Sequence, residues 1–240
     1  MNLNTTPKTA FNAQFFTNKG LNIQAVFNIS SLPEEIRKSL PQDHFKAKSA
    51  NQLIVLGHAG RKLWDLIGTT LKAVDDPVDN YSISVVKDYF YHYHPERQFE
   101  IIYPEYQCLA LQQLGELAGW HNDSPFRVGI NNLWGSWFAY RAVVLADTNF
   151  LETKKMTTHS PCTDCVDKIC IGSCPPEAVN DEEMSLTKCI DYRKQDGSSC
   201  KLTCLARSAC PVAQDHRYSE EQMQYHYNIS LKTIEALYRS

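Results

Sequence analysis

Hydrophobic positions in the first two thirds of the chain follow two different periods. Short apolar runs predict strands at 52–57, 99–103 and 138–146. Apolar residues at helical spacing predict helices at 60–73, 77–91, 109–119 and 218–240, and Gly119 is expected to end the third of these. Strands that alternate with helices predict layered packing of the α/β or α+β type.

The composition is that of an ordinary globular protein. The 240 residues are 43% hydrophobic and 21% charged, which suffices for one large core and a small additional module. The net charge is −3 at pH 7 and the pI is about 6.2, so the chain as a whole does not attract nucleic acid or an anionic membrane. We therefore expect neither a nucleic-acid partner nor a membrane partner.

The N-terminus and the lengths of the apolar runs indicate the cellular compartment. Residues 1–20 are polar and lack the apolar segment of a secretory signal. No run approaches the ~18 apolar residues of a membrane-spanning helix. These features predict a cytoplasmic protein, and in a reducing compartment closely spaced cysteines indicate a metal site rather than disulfide bonds.

Eight of the nine cysteines lie between residues 162 and 210. They form two runs, Cys162-x2-Cys165-x4-Cys170-x3-Cys174 and Cys189-x10-Cys200-x3-Cys204-x5-Cys210, each followed by proline. The predicted domains are accordingly 1–158, a cysteine-rich module at 159–217, and a C-terminal helix at 218–240 that packs across both. The remaining cysteine, Cys108, lies in an apolar helical context and is expected to be a buried structural thiol.

The spacing of the two runs is typical of iron–sulfur proteins. Two-cluster bacterial ferredoxins use C-x2-C-x2-C-x3-C-P, in which the fourth cysteine of each run binds the other cluster. The proline turns the chain away, so this thiolate faces the neighbouring cluster. Carried over to this chain, the crossed pattern gives two [4Fe–4S] clusters: set A comprises Cys162, Cys165, Cys170 and Cys210, and set B comprises Cys174, Cys189, Cys200 and Cys204.

Two other interpretations of the cysteines stay open at this point. Four-thiolate zinc sites also use C-x2-C pairs, but only Cys162 and Cys165 have that spacing. Disulfide bonds would require an oxidising compartment, which the polar N-terminus does not indicate. The spacings therefore favour iron–sulfur clusters, whose chemistry is the transfer of single electrons.

The segment 129–145, which reads GINNLWGSWFAYRAVVL, resembles the cobalamin-processing proteins of the CblC type. Three other stretches are similar to that family in the same order, at 76–79, 99–102 and 217–225. The cysteine module instead resembles that of epoxyqueuosine reductase and the reductive dehalogenases, and the segment 118–129 also resembles epoxyqueuosine reductase. Those enzymes combine a cobalamin-binding domain with two [4Fe–4S] clusters.

This resemblance implies an α+β fold, in which a nitroreductase-like corrinoid-binding domain carries an appended ferredoxin-like iron–sulfur module. It also implies a base-off cobalamin that accepts single electrons from the clusters, because the axial ligand sets the potential of a macrocyclic metal. The implied partners are the corrinoid and a low-potential electron donor such as flavodoxin, ferredoxin or a flavin reductase. CblC-type proteins can associate, so a homodimer is kept as one expected assembly.

The resemblance also assigns candidate site residues. Asn131 stands where the CblC type has the His of a His-x-x-Gly element, and Glu105 aligns near the general acid of epoxyqueuosine reductase, which makes it the candidate catalytic acid. The cofactor-binding candidates are Asn131, Gly135, Ser136, Trp137, Tyr140 and Arg141. The alternatives are structural: a turn at Gly135, core packing for the aromatic residues, an ion pair for Arg141 and a solvated loop for Glu105.

Three functions are compatible with these observations. The first is an oxidoreductase, either a cobalamin-dependent reductase or a cobalamin reductase, in which the clusters pass single electrons to cobalt. The second is an epoxyqueuosine-reductase-like enzyme acting on transfer RNA, against which the lack of a basic patch argues. The third is a two-cluster ferredoxin-like electron carrier without a corrinoid, which the departure at Asn131 keeps open. The first is our working hypothesis.

Overall fold

A computed structural model of the chain describes residues 8–41, 50–68, 75–106 and 108–238. Contacts divide the chain into two compact units. Unit 1 comprises Met1–Gly119 with Phe138–Thr157, and unit 2 comprises Trp120–Trp137 with Thr158–Ser240. The segment Trp120–Trp137 is thus grouped with the cysteine-rich part of the chain, and the domain boundaries predicted from the sequence stay predictions.

Within the described residues, unit 1 contains one antiparallel sheet of four strands in the order β1-β2-β4-β3. The strands are β1 Ile23–Asn28, β2 Gln52–Ala59, β3 Phe99–Tyr103 and β4 Phe138–Ala146. The predictions for β3 and β4 are confirmed, and β2 continues beyond the predicted end at residue 57. The sequence did not predict β1, because Gln24 and Asn28 interrupt its short apolar pattern.

Helices lie beside this sheet in unit 1. They are α1 Ala13–Asn18, α2 Glu34–Ser39, α3 Lys62–Ile67, α4 Pro77–Tyr93 and α5 Leu111–Ala118. The helix predicted at 77–91 is confirmed as α4. Gly119 ends α5 in the left-handed conformation, as predicted. The helix predicted at 60–73 is present as α3, and residues 69–74 lie outside the described residues.

The core of unit 1 lies around β2, whose residues are all buried. α4 packs against β4 and α3 packs against β2. Aromatic rings fill the space beside α4, where the Tyr89 ring lies 4.6 Å from Phe16 and 5.5 Å from Phe90, centroid to centroid. Each fully buried apolar side chain contributes about 1.5–3 kcal/mol of transfer free energy, so this packing dominates the stability of the unit.

Unit 2 carries the cysteine loops between short helices. These are α6 Ile169–Gly172, α7 Leu186–Lys194, α8 Leu205–Ala209 and α9 Glu220–Leu237, the last confirming the predicted C-terminal helix. α6 packs against α8, and α7 packs against α9. Ser219 caps α9 by accepting from the Gln222 amide at 3.2 Å. None of the helices in the described ranges is long and apolar enough to cross a membrane.

Candidate functional site

Four thiols from distant parts of unit 2 lie near one another. Burial raises the pKa of the Cys162 thiol, and the nearby Cys210 and Cys165 thiols raise it further. Burial likewise raises the pKa of Cys170, with Cys210, Cys162 and Cys165 adding to the effect. Cys210 directly follows α8, so the fold returns it to the loop that carries the other three thiols. These are the residues of set A.

The other four thiols of the module form a second group. Burial raises the pKa of Cys189 to about 11, and the neighbouring Cys204, Cys174 and Cys200 act in the same direction. All four line one cavity of about 390 Å³ within unit 2. These are the residues of set B. In the described part of the chain, each thiol that shifts the pKa of another thiol belongs to the same set as that thiol.

The nine cysteines are all free thiols. The two groups have the same members as the sets expected from the ferredoxin pattern, whereas metal binding by them stays a prediction. Among the described residues, no three or more His, Cys, Asp or Glu side chains are gathered tightly enough to be recognised as the site of a metal ion. The expectation for Cys108 is wrong: this thiol is exposed, in a turn before α5.

Two buried arginines flank set B, and the sequence analysis missed both. Arg193 is only 6% exposed, and Arg207 only 7%. Against the effect of burial, Arg193 lowers the pKa of Cys189 and Arg207 lowers that of Cys204. Each lies one helical turn from a cysteine, Arg193 four residues after Cys189 and Arg207 three after Cys204. That spacing was the signal in the sequence, since residues three or four apart share a helix face.

The hydrogen-bond partners of these two arginines carry no charge. Their N–H groups donate to carbonyl and hydroxyl oxygens, and in the described residues no carboxylate pairs with either one. A buried cation is costly unless an anion lies close to it. The thiolates of set B would be such anions, so the donor set fits an anionic metal cluster.

Arg207 also connects set B to the segment before β4. Its guanidinium lies 4.5 Å from the Trp137 ring centroid and 5.1 Å from that of Tyr218. Its Nε donates to Ser136 Oγ at 3.3 Å, and its backbone N–H donates to Cys204 Sγ at 3.5 Å. Ser136 and Trp137 are therefore engaged with the cysteine module inside unit 2.

The residues predicted to seat a corrinoid are divided between the units. Asn131, Gly135, Ser136 and Trp137 belong to unit 2, and all four are buried. Asn131 Nδ2 donates to the Trp120 carbonyl at 2.7 Å, and its Oδ1 accepts from the amides of Leu133 and Trp134, each at 2.9 Å. The Asn131 side chain thus holds the turn that precedes Gly135, and its role towards a corrinoid stays a prediction.

Replacing Asn131 by alanine is expected to lower the free energy of unfolding by about 2–4 kcal/mol. The substitution leaves one carbonyl and two amides without their side-chain partner, and each buried polar group left unsatisfied costs about 1–3 kcal/mol. The measurement is anaerobic denaturant unfolding beside Asn132→Ala, whose side chain accepts one bond, from His159 at 3.2 Å. Equal stability of the two variants would contradict the structural role of Asn131.

The other two predicted residues, Tyr140 and Arg141, lie in β4 of unit 1. Arg141 Nε donates to His58 Nδ1 at 2.9 Å, and its Nη1 lies 3.8 Å from Asp79 Oδ1. His58 is 1% exposed and belongs to β2. Because His58 Nδ1 accepts this bond, a neutral His58 carries its proton on Nε2. Arg141 is therefore held by two strands and α4.

Asp79 gives this cluster a pH dependence. Burial raises the pKa of Asp79, the Arg141 charge lowers it and Asp76 raises it, with a net increase. The folded state then holds a proton on Asp79 more tightly than the unfolded chain, so stability is lost as pH rises through the folded pKa. We expect the melting temperature of Asp79→Asn to gain on that of the native chain between about pH 4 and about pH 7.

The control for this prediction is Asp65→Asn, which removes an exposed carboxylate from α3. Its melting temperature should follow that of the native chain across the same range. If Asp79→Asn instead loses stability relative to the native chain at neutral pH, the attraction to Arg141 outweighs the cost of burial.

The predicted catalytic acid, Glu105, is exposed in the turn that follows β3 and the Tyr103–Pro104 peptide. This position agrees with the alternative interpretation of Glu105 as a solvated loop residue. Tyr103, at the end of β3, has its pKa raised by burial, against the opposing charge of Arg141. The role of Glu105 as a proton donor stays a prediction.

No protein-family model matches the sequence. No curated protein matches it either. Solved structures do match the fold. An epoxyqueuosine reductase from Streptococcus thermophilus has a TM-score of 0.51 at 12% identity, covering 84% of this chain and 65% of the reductase. A catabolic reductive dehalogenase in complex with 3-bromo-4-hydroxybenzoic acid has a TM-score of 0.52 at 11% identity, covering 90% and 33%.

A B12-trafficking protein CblC from C. elegans is a looser match, with a TM-score of 0.46 at 12% identity that covers 91% of this chain and 92% of that one. The chain spans about two thirds of the reductase and one third of the dehalogenase. The matches to the reductase and the dehalogenase show that this chain has an α+β, nitroreductase-like fold. The families of these two structures are ones that its cysteine module resembles in sequence.

Proposed function

We propose that this chain is an iron–sulfur oxidoreductase, with one [4Fe–4S] cluster on set A and another on set B, in a ferredoxin-like module. The observation that carries the proposal is the gathering of eight thiols from unit 2 into two groups of four. When bound, the clusters would supply one-electron chemistry. The chain's own residues would supply the thiolates and place buried cations beside set B.

The cavity of set B favours a cluster over a single zinc ion. A tetrahedral zinc site draws four sulfurs to about 2.3 Å from one point and needs almost no space. The thiols of set B instead line a cavity of about 390 Å³ together with apolar residues such as Phe126 and Val179. Apolar walls and buried cations would suit an anionic cofactor of several atoms.

We further propose that the chain binds a corrinoid, as the sequence resemblance at 129–145 implies. The fold shared with epoxyqueuosine reductase and a reductive dehalogenase supports this proposal. The side chains of Asn131, Ser136 and Trp137 do not fit as direct corrinoid contacts, because they are buried and engaged within unit 2. A low-potential carrier in a reducing, cytoplasmic compartment would supply the electrons.

Two other functions have specific support. The burial of Asn131, Ser136 and Trp137 favours a two-cluster electron carrier without a corrinoid. The fold likeness supports an epoxyqueuosine-reductase-like enzyme equally well, and one matching structure is of such a reductase with a tRNA-Tyr stem loop. A gel shift with a tRNA stem loop at low salt tests the latter function, and the absence of a shift would count against it.

The test of the main proposal is anaerobic reconstitution with iron and sulfide, followed by iron counting and electron paramagnetic resonance. We expect roughly eight iron atoms per chain and signals from two clusters. Titration with cob(II)alamin should then change the corrinoid spectrum. Bound zinc or a single cluster would overturn the two-cluster proposal, whereas two clusters without corrinoid binding would support the carrier.

A further inference from the structure

We infer that Arg193 and Arg207 raise the electron affinity of set B, so that a cluster held there is reduced before a cluster held by set A. The inference rests on the proposed function, because it concerns the two clusters. It assigns a role to two residues that belong to neither set of thiols.

The first observation is that both charges are buried and held in place. Arg193 Nη2 donates to the Tyr227 carbonyl at 3.0 Å, its Nη1 donates to Ser230 Oγ at 3.0 Å, and its guanidinium lies 5.1 Å from the Tyr227 ring centroid. Arg207 is held between the rings of Trp137 and Tyr218. Neither side chain can turn towards solvent without losing these contacts, so both charges stay beside set B.

The second observation is that the charges near set A are less buried. The Lys168 side chain is 43% exposed and forms an ion pair with Asp181. Arg217 is partly buried, and its Nη2 donates to the Ser208 carbonyl at 2.6 Å. Water and counterions screen exposed charges more strongly than buried ones. Set A therefore feels a weaker positive field than set B.

Hydrogen bonds to sulfur and burial do not separate the two sets. Set A receives hydrogen bonds from the side chain of Ser160 and from the amides of Ile171 and Val212. Set B receives them from the amide of Arg207 and the side chain of Tyr227. Burial acts on thiols of both sets. The difference between the sets is thus the buried positive charge.

The consequence follows from the charge balance of reduction. Each one-electron reduction adds a negative charge to a cluster that is already anionic through its thiolates. A buried cation stabilises the reduced form more than the oxidised form, and the low dielectric constant of the interior strengthens this effect. Two such cations beside set B raise its potential relative to that of set A.

The experiment is a redox titration of the reconstituted protein, followed by electron paramagnetic resonance. Cys162→Ala and Cys189→Ala, each of which disables one set, assign the signals. The test variants are Arg207→Gln and Arg193→Gln. Arg217→Gln is the matched control, because Arg217 also lies over Trp137, at 5.7 Å, but lowers the pKa of Cys210 in set A against the effect of burial. Arg61→Gln is a second control, because it removes an exposed arginine of unit 1.

We expect Arg207→Gln and Arg193→Gln each to reduce the ratio of reduced to oxidised set B at least about tenfold at a fixed potential, which for a one-electron couple is ~59 mV. The set A signal should keep its midpoint. Arg217→Gln should shift set A instead, and Arg61→Gln should shift neither set. Arg207→Lys should restore most of the set B midpoint, which separates charge from packing.

Unchanged set B midpoints in both test variants, with two clusters assembled, would overturn this inference and leave the proposed function intact. Equal shifts of both sets would also overturn it. If iron counting and resonance show no clusters in the native chain, the proposed function fails together with the inference. Should Arg207→Gln not fold, Arg193→Gln and Arg207→Lys still decide the outcome.

Discussion

Replacing Cys210 by alanine is expected to remove the same cluster as replacing Cys162. Each single variant should retain roughly four of roughly eight iron atoms, because each disables set A and leaves set B intact. The double variant Cys162→Ala with Cys210→Ala should also retain roughly four. The double variant Cys162→Ala with Cys174→Ala should retain almost none, although both of its positions lie in the first run of cysteines.

The physical reason is the thiol neighbourhood that the fold creates. The Cys210 thiol, which follows α8, raises the pKa of Cys162, whereas Cys174 of the same run as Cys162 raises the pKa of Cys189. Iron and sulfide counts with resonance spectra measure the outcome. Cys108→Ala is the matched control, because this exposed thiol belongs to neither set and its loss should change no iron count.

Two outcomes would contradict the crossed arrangement. If the double variant of Cys162 and Cys210 loses both clusters, the two thiols serve different clusters. If the double variant of Cys162 and Cys174 keeps half of the iron, the two runs are not crossed. Circular dichroism of each variant distinguishes loss of a cluster from loss of the fold.

Gly135→Ala is expected to lower the free energy of unfolding by about 2–5 kcal/mol. Gly135 has a φ of +56°, where a side chain costs roughly 1–2 kcal/mol. A Cβ there would also lie 2.5 Å from the Val212 carbonyl oxygen, and overpacking of this kind costs about 1–3 kcal/mol. The Val212 amide donates to the Cys210 thiol, so the displacement should disturb set A as well.

Two other glycines of unit 2 separate these contributions. Gly197 has a φ of +76° and open space around it, so Gly197→Ala should cost only the roughly 1–2 kcal/mol of backbone conformation. Gly172 lies in α6 with neither constraint, so Gly172→Ala should be neutral or stabilising. Anaerobic denaturant unfolding of the three variants measures the series.

The same variant tests the corrinoid interpretation of Gly135. If Gly135 serves to let a flat ring approach, Gly135→Ala should lose only the roughly 1–2 kcal/mol of backbone conformation, keep its iron content and lose affinity for cob(II)alamin. Stability equal to that of Gly197→Ala would show that Val212 yields to the added methyl group.

Local patterns allowed much of the fold to be predicted. The runs at 99–103 and 138–146 became β3 and β4, because short runs rich in aromatic and β-branched residues favour strands. β1 was not predicted, because pairing with β2 stabilises this strand and its own apolar pattern is weak. Cys108 was placed wrongly because its apolar neighbours belong to a turn before α5.

The candidate site, too, could be predicted only in part from the sequence. The cysteine spacing alone indicated eight metal-ligating thiols, because thiolates so closely spaced in a reducing compartment are typical of metal sites. The sequence could not reveal that Arg193 and Arg207 would be buried without a carboxylate as ion-pair partner. Nor could it reveal that the Asn131 side-chain amide would form hydrogen bonds that hold a turn.

What the sequence determined by itself is therefore the set of chemical groups and most of the regular elements, because spacing and periodicity are local properties of the chain. What only the tertiary structure decided is which groups meet, which charges lose their water, and which polar atoms are already bonded. These depend on contacts between distant residues, such as that of Arg207 with Trp137, and burial changes the energy of a charge far more than its neighbours in sequence do.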